Sequence, residues 1–164
     1  MSTPPIHIFT DGSSLGNPGP GGYAIVLKYG NKQKIRSAGY AKTTNNRMEL
    51  MAVIESLKLL NEYAQNKEII IHTDSKYVIN AIEKKWVFGW AKKNFKDKAN
   101  EDLWREFLRL HSSYSLKFEW IKGHSGHPEN ELCDKLAKKA AKGKTLKTDR
   151  GYLASQLPQT NTLL

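Results

Sequence analysis

The stretch "HIFTDGSSLGNPGPGG", residues 7–22, decides how the chain is read. An apolar, strand-like run ends on an acid, Asp11, and passes into a segment dense in glycine and proline. Two readings fit: a glycine-rich loop cradling a phosphate at a helix N-terminus, or a turn that leaves the acid at an open sheet edge. Gly19, Gly21 and Ala24 match the G-x-G-x-x-A spacing of dinucleotide loops, but such a loop has to open a helix. Here "YAIVL" follows, a strand run. The Gly-Lys-Ser/Thr of a P-loop is also absent. The glycines therefore read as a wide hairpin, and a strand over Ile6 to Thr10 delivers Asp11 to its end.

Working outward, "GYAIVLKYG" and "QKIRSAGYA" read as two more strands joined by the turn "GNKQ", so the chain opens with an antiparallel meander. "TTNNRMELMAVIESLKLLNEY" then switches to helical period, with Leu50, Val53, Ile54, Leu57 and Leu60 on one stripe and Thr and Asn caps ahead of it. "EIIIHTD" is nearly continuous in apolar residues, the pattern of a central strand covered on both faces. "DSKYVINAIEKK" reads as a helix with Val78, Ala81 and Ile82 inward, and a further helix centres on Leu103, Phe107 and Leu110. "LKFEWIKG" is a strand, and "HPENELCDKLAKKAAK" a final helix with Pro128 in its first turn. This order predicts an α/β (α+β) fold, a five-stranded mixed sheet with helices packed on it. Helical pattern ends near Gly143; one domain is expected over 1–152, with a flexible tail over 153–164.

At 164 residues, 39% hydrophobic and 26% charged, the chain has the size and composition of one globular domain. No apolar run reaches membrane-span length, and the start lacks the pattern of a signal peptide. The single cysteine, Cys133, forbids an intrachain disulfide, which suits a reducing, cytoplasmic setting. A net charge of +10 favours a polyanionic partner. Lys84, Lys85, Lys92, Lys93, Lys96 and Lys98 crowd one segment, and a second basic cluster runs from Lys135 to Arg150.

The acids stand apart from these clusters. Asp11 and Asp74 each end a strand, so both emerge at one edge if the strands are neighbours. Glu49 lies one residue off the apolar stripe of its helix, and Asp134 shares a helix with Ala137 and Ala141, small residues that permit close approach. Each acid alone reads as a cap or a solvated charge. Four converging carboxylates would repel unless cations intervene. Oxygen-only ligands suit Mg²⁺ or Mn²⁺, and a pair of such ions serves phosphodiester hydrolysis. In "GHSGHPENE", His124 and His127 with Cys133 do not meet zinc-site spacing. A histidine beside a metal-bound phosphate suits proton transfer, and His124 lies nearer the strand edge.

"FTDGSSLGNPGPGGYA", "GYAKTTNNRMELMAVI", "TDSKYV" and "WIKGHSGHPENELCDKLA" resemble, in order, the four signature blocks of the bacterial-type, type 1 ribonuclease H family. The resemblance runs from Ile6 to Tyr152. It implies helices on both faces of the sheet, and an endonuclease that cuts the RNA strand of RNA–DNA hybrids, leaving 5′-phosphate and 3′-hydroxyl ends, with two Mg²⁺ held by Asp11, Glu49, Asp74 and Asp134 and with His124 assisting. It places Gly12, Ser13, Asn17, Thr44, Asn45, Asn46 and Lys76 near the hybrid, Lys76 standing where many members carry Gln. It likens "KKWVFGWAKKNFK" to a basic protrusion whose Lys84, Lys85, Lys92, Lys93 and Lys96 meet phosphates of the DNA strand, with Trp86 and Trp90 as packing residues. A monomer without a small-molecule cofactor is the default expectation, and anchoring by a separate N-terminal hybrid-binding domain is not expected. Telling RNA from DNA requires reading a 2′-hydroxyl, which is both donor and acceptor, and Asn amides offer both; capping is the alternative role for the Asn pair. Integrase-like DNA cleavage, a non-catalytic hybrid-binding module and a polymerase-linked domain are the rival readings. The first lacks the "TTNNRMEL" and "GHSGHPENE" blocks, and the second would have lost an acid.

Overall fold

Long β-branched runs closed by a glycine turn build the meander expected from the sequence. The computed structural model describes residues 3–123 and 125–158. Strands β1 (Ile6–Ser14), β2 (Gly19–Tyr29) and β3 (Lys32–Thr43) precede helix α1 (Asn45–Lys58) and a 3₁₀ turn at Glu62–Asn66. Then come β4 (Glu68–Thr73), α2 (Lys76–Glu83), α3 (Trp86–Lys92), α4 (Glu101–His111), β5 (Ser115–Trp120), α5 (Pro128–Ala141), β6 (Leu146–Lys147) and α6 (Arg150–Ser155). The sheet order is β5-β4-β1-β2-β3-β6; β1, β2 and β3 pair antiparallel, and the β1–β4, β4–β5 and β3–β6 pairs are parallel.

Helices cover both faces. On β2, Tyr23, Ile25 and Leu27 point into the core shared with α1, while Ala24 and Val26 meet Cys133 and Ala137 of α5 on the other side. The strand buried on both faces is thus β2, not β4. In β4, Ile69, Ile71 and Thr73 are buried, whereas Ile70 and His72 lie on a half-open face. The apolar run misled because α5 reaches over β1, β2 and β3 but leaves β4 partly uncovered. A β-carbon on Gly22 would collide with the Ala137 carbonyl, so the bare glycine is what lets α5 lie against the sheet.

Other differences from the sequence expectation are local. The sheet has six strands, because Leu146 and Lys147 pair with Gly39 and Tyr40; two residues are too few to show a period. The first strand continues past Thr10 to Ser14, held by β2 through Asp11↔Ala24 and on to Ser14↔Gly21. After α5 comes a further helix, α6, capped by the Asp149 side chain accepting from Tyr152 N–H, so regular structure extends to Ser155. Residues 159–164 of the expected tail lie outside the described residues. Trp90 packs edge-on against Trp104 as expected, but Trp86 is 46% exposed. Among the described residues, no helix is long and apolar enough to cross a membrane.

Candidate active site

Parallel pairing of β1 with β4 stops at Phe9↔His72. Asp11 lies two residues beyond that pair and Asp74 follows the last residue of β4, so both carboxylates stand at one sheet edge. Helix α1 starts beside them. Thr44 is its N-cap, its hydroxyl accepting from Arg47 N–H at 3.2 Å, and Glu49 falls on the buried side of the helix. Gly12 makes this closeness possible, since a β-carbon there would strike the Met48–Glu49 backbone.

One carboxylate oxygen from each of Asp11, Glu49 and Asp74 lies within 4.8 Å of the others. Asp11 and Glu49 are 4% exposed, and Asp11 Oδ1 accepts from Gly12 N–H at 2.9 Å. Asp134 faces the same cleft, about 480 Å³ in volume, from α5. It stands outside the tight trio and accepts from Lys138 Nζ at 3.0 Å. The fourth acid is therefore the outer one, 28% exposed at its side chain. Trp120 donates its indole N–H to the Asp74 carbonyl at 3.2 Å, tying β5 to the same edge.

Crowding acids in a poorly solvated corner favours protons or cations. Burial pushes the Asp11 carboxyl up to about 7; the charges of Asp74 and Asp134 push the same way, against hydrogen bonds from Glu49 and Gly12. Glu49, buried and facing Asp11 and Asp74, is held well above the ordinary carboxylate range. Its Oε2 is buried without a hydrogen-bond partner among the described residues. An orphaned, oxygen-only set of this kind fits a hard divalent cation.

The other expected residues divide by position. Gly12, Ser13, Asn45, Asn46 and Lys76 line the carboxylate cleft. Asn17 and Thr44 line the adjoining cleft of about 890 Å³, which Asn46 also borders. Asn17 Oδ1 accepts from Asn45 N–H at 3.0 Å, fixing the hairpin loop to the start of α1. Since Thr44 does the capping, the Asn45 and Asn46 side chains are not needed for it. Lys84, Lys85, Lys92, Lys93 and Lys96 are all exposed, on and beside α3, and none lines the carboxylate cleft. Lys84 Nζ stands 5.1 Å from the Trp86 ring centroid. His124 lies outside the described residues.

Sequence reasoning missed Tyr77, which borders the cleft and accepts from Trp104 Nε1–H at 2.8 Å and Asn100 Nδ2 at 3.0 Å. It also missed Lys138, although Asp134 and Lys138 stand at i, i+4, the spacing of a helical ion pair. It missed Arg47 too, which pairs with Asp102 and Asp149 beneath α1.

The RNase H family model matches residues 3–142. Ribonuclease H of Escherichia coli is 51% identical over 152 residues, spanning 90% of this chain and 95% of that protein. Ribonuclease H of Oleidesulfovibrio alaskensis is 51% identical over 138 residues, 81% of this chain and 88% of that one. Among solved structures, LC9-RNase H1, described as a type 1 RNase H with the type 2 active-site motif, superposes with a TM-score of 0.77 at 28% identity, covering 96% of this chain and 83% of its own. LC11-RNase H1, solved with an RNA/DNA hybrid, shares the fold with a TM-score of 0.68 at 23% identity, over 84% of this chain and 96% of its own. With its carboxylates gathered at one sheet edge and most of its length matched by the family model and these relatives, the chain belongs to the ribonuclease H family, nucleases that hydrolyse the RNA strand of RNA–DNA hybrids.

Proposed function

We propose that this chain hydrolyses RNA–DNA hybrids at the carboxylate edge, with Asp11, Glu49, Asp74 and Asp134 holding two Mg²⁺, for which Mn²⁺ can substitute. The observation that carries the reading is the packed trio of Asp11, Glu49 and Asp74, with one oxygen of Glu49 orphaned among the described residues. Bound there, divalent ions supply an activated water on one side and neutralise the leaving oxygen on the other. Asp11 and Glu49 give up their protons to take this role. Asp134, less buried and paired with Lys138, would complete the ligand set from α5.

The remaining residues recognise and position. Asn17, Thr44, Asn45 and Asn46 offer amide and hydroxyl groups for the 2′-hydroxyls that mark the RNA strand, and Gly12 and Ser13 let its backbone come close. Lys76 meets the strand beside Asp74. The exposed lysines about α3 take the phosphates of the DNA strand, as the charge of +10 favours. His124, which stands between Gly123 and Gly126 in the sequence ahead of α5, carries a proton to or from the scissile phosphate. The products are 5′-phosphate and 3′-hydroxyl ends, and the cellular task is removal of RNA primers and R-loops by a cytoplasmic monomer.

The test is a pair of variants. Asp11→Asn is expected to abolish cleavage while keeping hybrid affinity within about twofold of the parent, since no phosphate-binding lysine changes. His124→Ala is expected to slow turnover by no more than the roughly 10²–10⁴-fold of a lost proton carrier. Full activity in Asp11→Asn would remove the cluster from catalysis, and complete loss in a folded His124→Ala would make that histidine indispensable.

A further inference from the structure

The basic cluster from Lys135 to Arg150 lies largely outside the carboxylate cleft; of its lysines only Lys138 lines that cleft. Helix α5 buries Asn130, Cys133, Ala137 and Ala141. Lys135, Lys139 and Lys142, at i, i+4 and i+7, therefore form its exposed stripe, and Lys144 follows just past Gly143. Glu131 opens the stripe, and beyond it every charge on the stripe is positive. Among the described residues none of these four lysines makes an ion pair, whereas Lys138 pairs with Asp134. Attraction to the helix C-terminus accounts for basic residues in the last turn, Lys138 and Lys139. It does not account for Lys135 ahead of that turn or Lys144 beyond the helix.

Strand register places the stripe. Glu129, in the first turn of α5, accepts from Lys28 Nζ at 2.8 Å, level with His7 of β1. Cys133 donates to the Phe9 carbonyl at 3.3 Å. The Ala137 carbonyl lies against Gly22, which faces Ser13, and the Ala140 carbonyl lies against Gly39. Helix α5 thus climbs β1 from His7 past Asp11 to Ser13, and its last turn ends at the carboxylate edge, displaced toward β3. The lysines about α3 flank that edge from the other face of the sheet. Val87 of α3 belongs to the core shared with α1, whereas Cys133 and Ala137 belong to the separate core under α5.

We propose that Lys139, Lys142 and Lys144, with Lys135 at their head, form a second phosphate-binding face, which holds the backbone of the hybrid duplex on the side of the cut away from α3. It rests on hybrid hydrolysis at the carboxylate edge and gives that duplex a second anchor. Seven helical residues rise about 10 Å, and one strand of a duplex carries a phosphate about every 3.4 Å along its axis. The stripe therefore matches about three successive phosphates. Residues 128–144 include no aromatic side chain, so unpaired bases would find nothing there to stack on. A duplex backbone, which offers only phosphates, is the occupant that this face fits.

Anisotropy titrations of the full chain with hybrid, from low to moderate salt, test the assignment. The triple variant Lys139→Gln, Lys142→Gln, Lys144→Gln is expected to lower the log–log slope by about 3 and the affinity at moderate salt by about tenfold or more. Cleavage is expected to lose kcat/KM to match, chiefly through KM. Arginine at the same three positions is expected to keep the slope. Lys32→Gln, Lys34→Gln, Lys67→Gln removes equal charge around a separate cleft at the other end of the sheet. Screening over that distance is expected to hold its change in slope below about 1. Circular dichroism melts of all the variants are expected to match the parent. A slope unchanged in the α5 triple while the parent binds hybrid, or lowered equally by both triples, would overturn the second face alone. Failure of the parent to bind hybrid would overturn the proposed function along with it.

Discussion

Asp11 concentrates the physics of the site. Its carboxyl titrates at about 7 in the folded chain against an ordinary 3.8, chiefly because it is buried. Between those values the folded state holds a proton that the unfolded state has released, so stability falls as pH rises from about 4 to about 7 and then levels off. Glu49, also raised, adds to the same trend. In a chelator, urea unfolding is expected to show this decline, shallower in Asp11→Asn. Mg²⁺ is expected to stabilise more at pH 8 than at pH 5, because ions replace protons; equal stabilisation at both would mean the acids are not its ligands. Asp11, Asp74 and Glu49 were legible in the chain because strand ends and a stripe edge are periodic features. The tilt of Asp134 toward Lys138 was not, since the sequence cannot say how far a helix side chain stands from a sheet edge. Arg47 was invisible for another reason: its partners lie 55 and 102 residues away.

At the level of elements, two contacts set where the acids stand. Gly22 admits α5, and with it Asp134, to the sheet. Gly22→Ala is expected to cost about 1–3 kcal/mol by overpacking and to lower cleavage more than hybrid binding, read from a urea midpoint and a parallel kinetic assay. Arg47 joins α1 to the start of α4 through Asp102, at 2.7 and 2.8 Å, and to the cap of α6 through Asp149, at 2.8 and 2.9 Å. Arg47 and Asp149 are each 2% exposed at their side chains, so removing one partner strands a buried charge. Arg47→Ala is expected to destabilise by about 3–5 kcal/mol; a shift below 1 kcal/mol would make the network dispensable. The order of β1 to β5 with α1, α2, α4 and α5 could be read from period alone, but α3, β6 and α6 could not. Seven, two and six residues carry too little pattern, and β6 and α6 are held by distant partners, Gly39 and Arg47.

Across the whole molecule, charge is arranged by region. The acids gather at one sheet edge and exposed lysines stand on and beside α3, so a duplex can meet cations on its phosphates while one strand reaches the carboxylates. Hybrid affinity is expected to fall steeply with salt. Each of Lys84→Ala, Lys85→Ala, Lys92→Ala, Lys93→Ala and Lys96→Ala that removes a phosphate contact is expected to reduce the log–log slope by about 1, measured by anisotropy titration from low to moderate salt. Unchanged slopes in all five would place the DNA strand elsewhere. The most direct measurement offers one labelled sequence as RNA–DNA hybrid, double-stranded RNA, single-stranded RNA and double-stranded DNA, each with Mg²⁺ and with a chelator. Cutting confined to the RNA strand of the hybrid, and lost on chelation, is the expected result. Cutting of DNA, or cleavage that survives the chelator, would contradict a cation-loaded carboxylate edge built for hybrids.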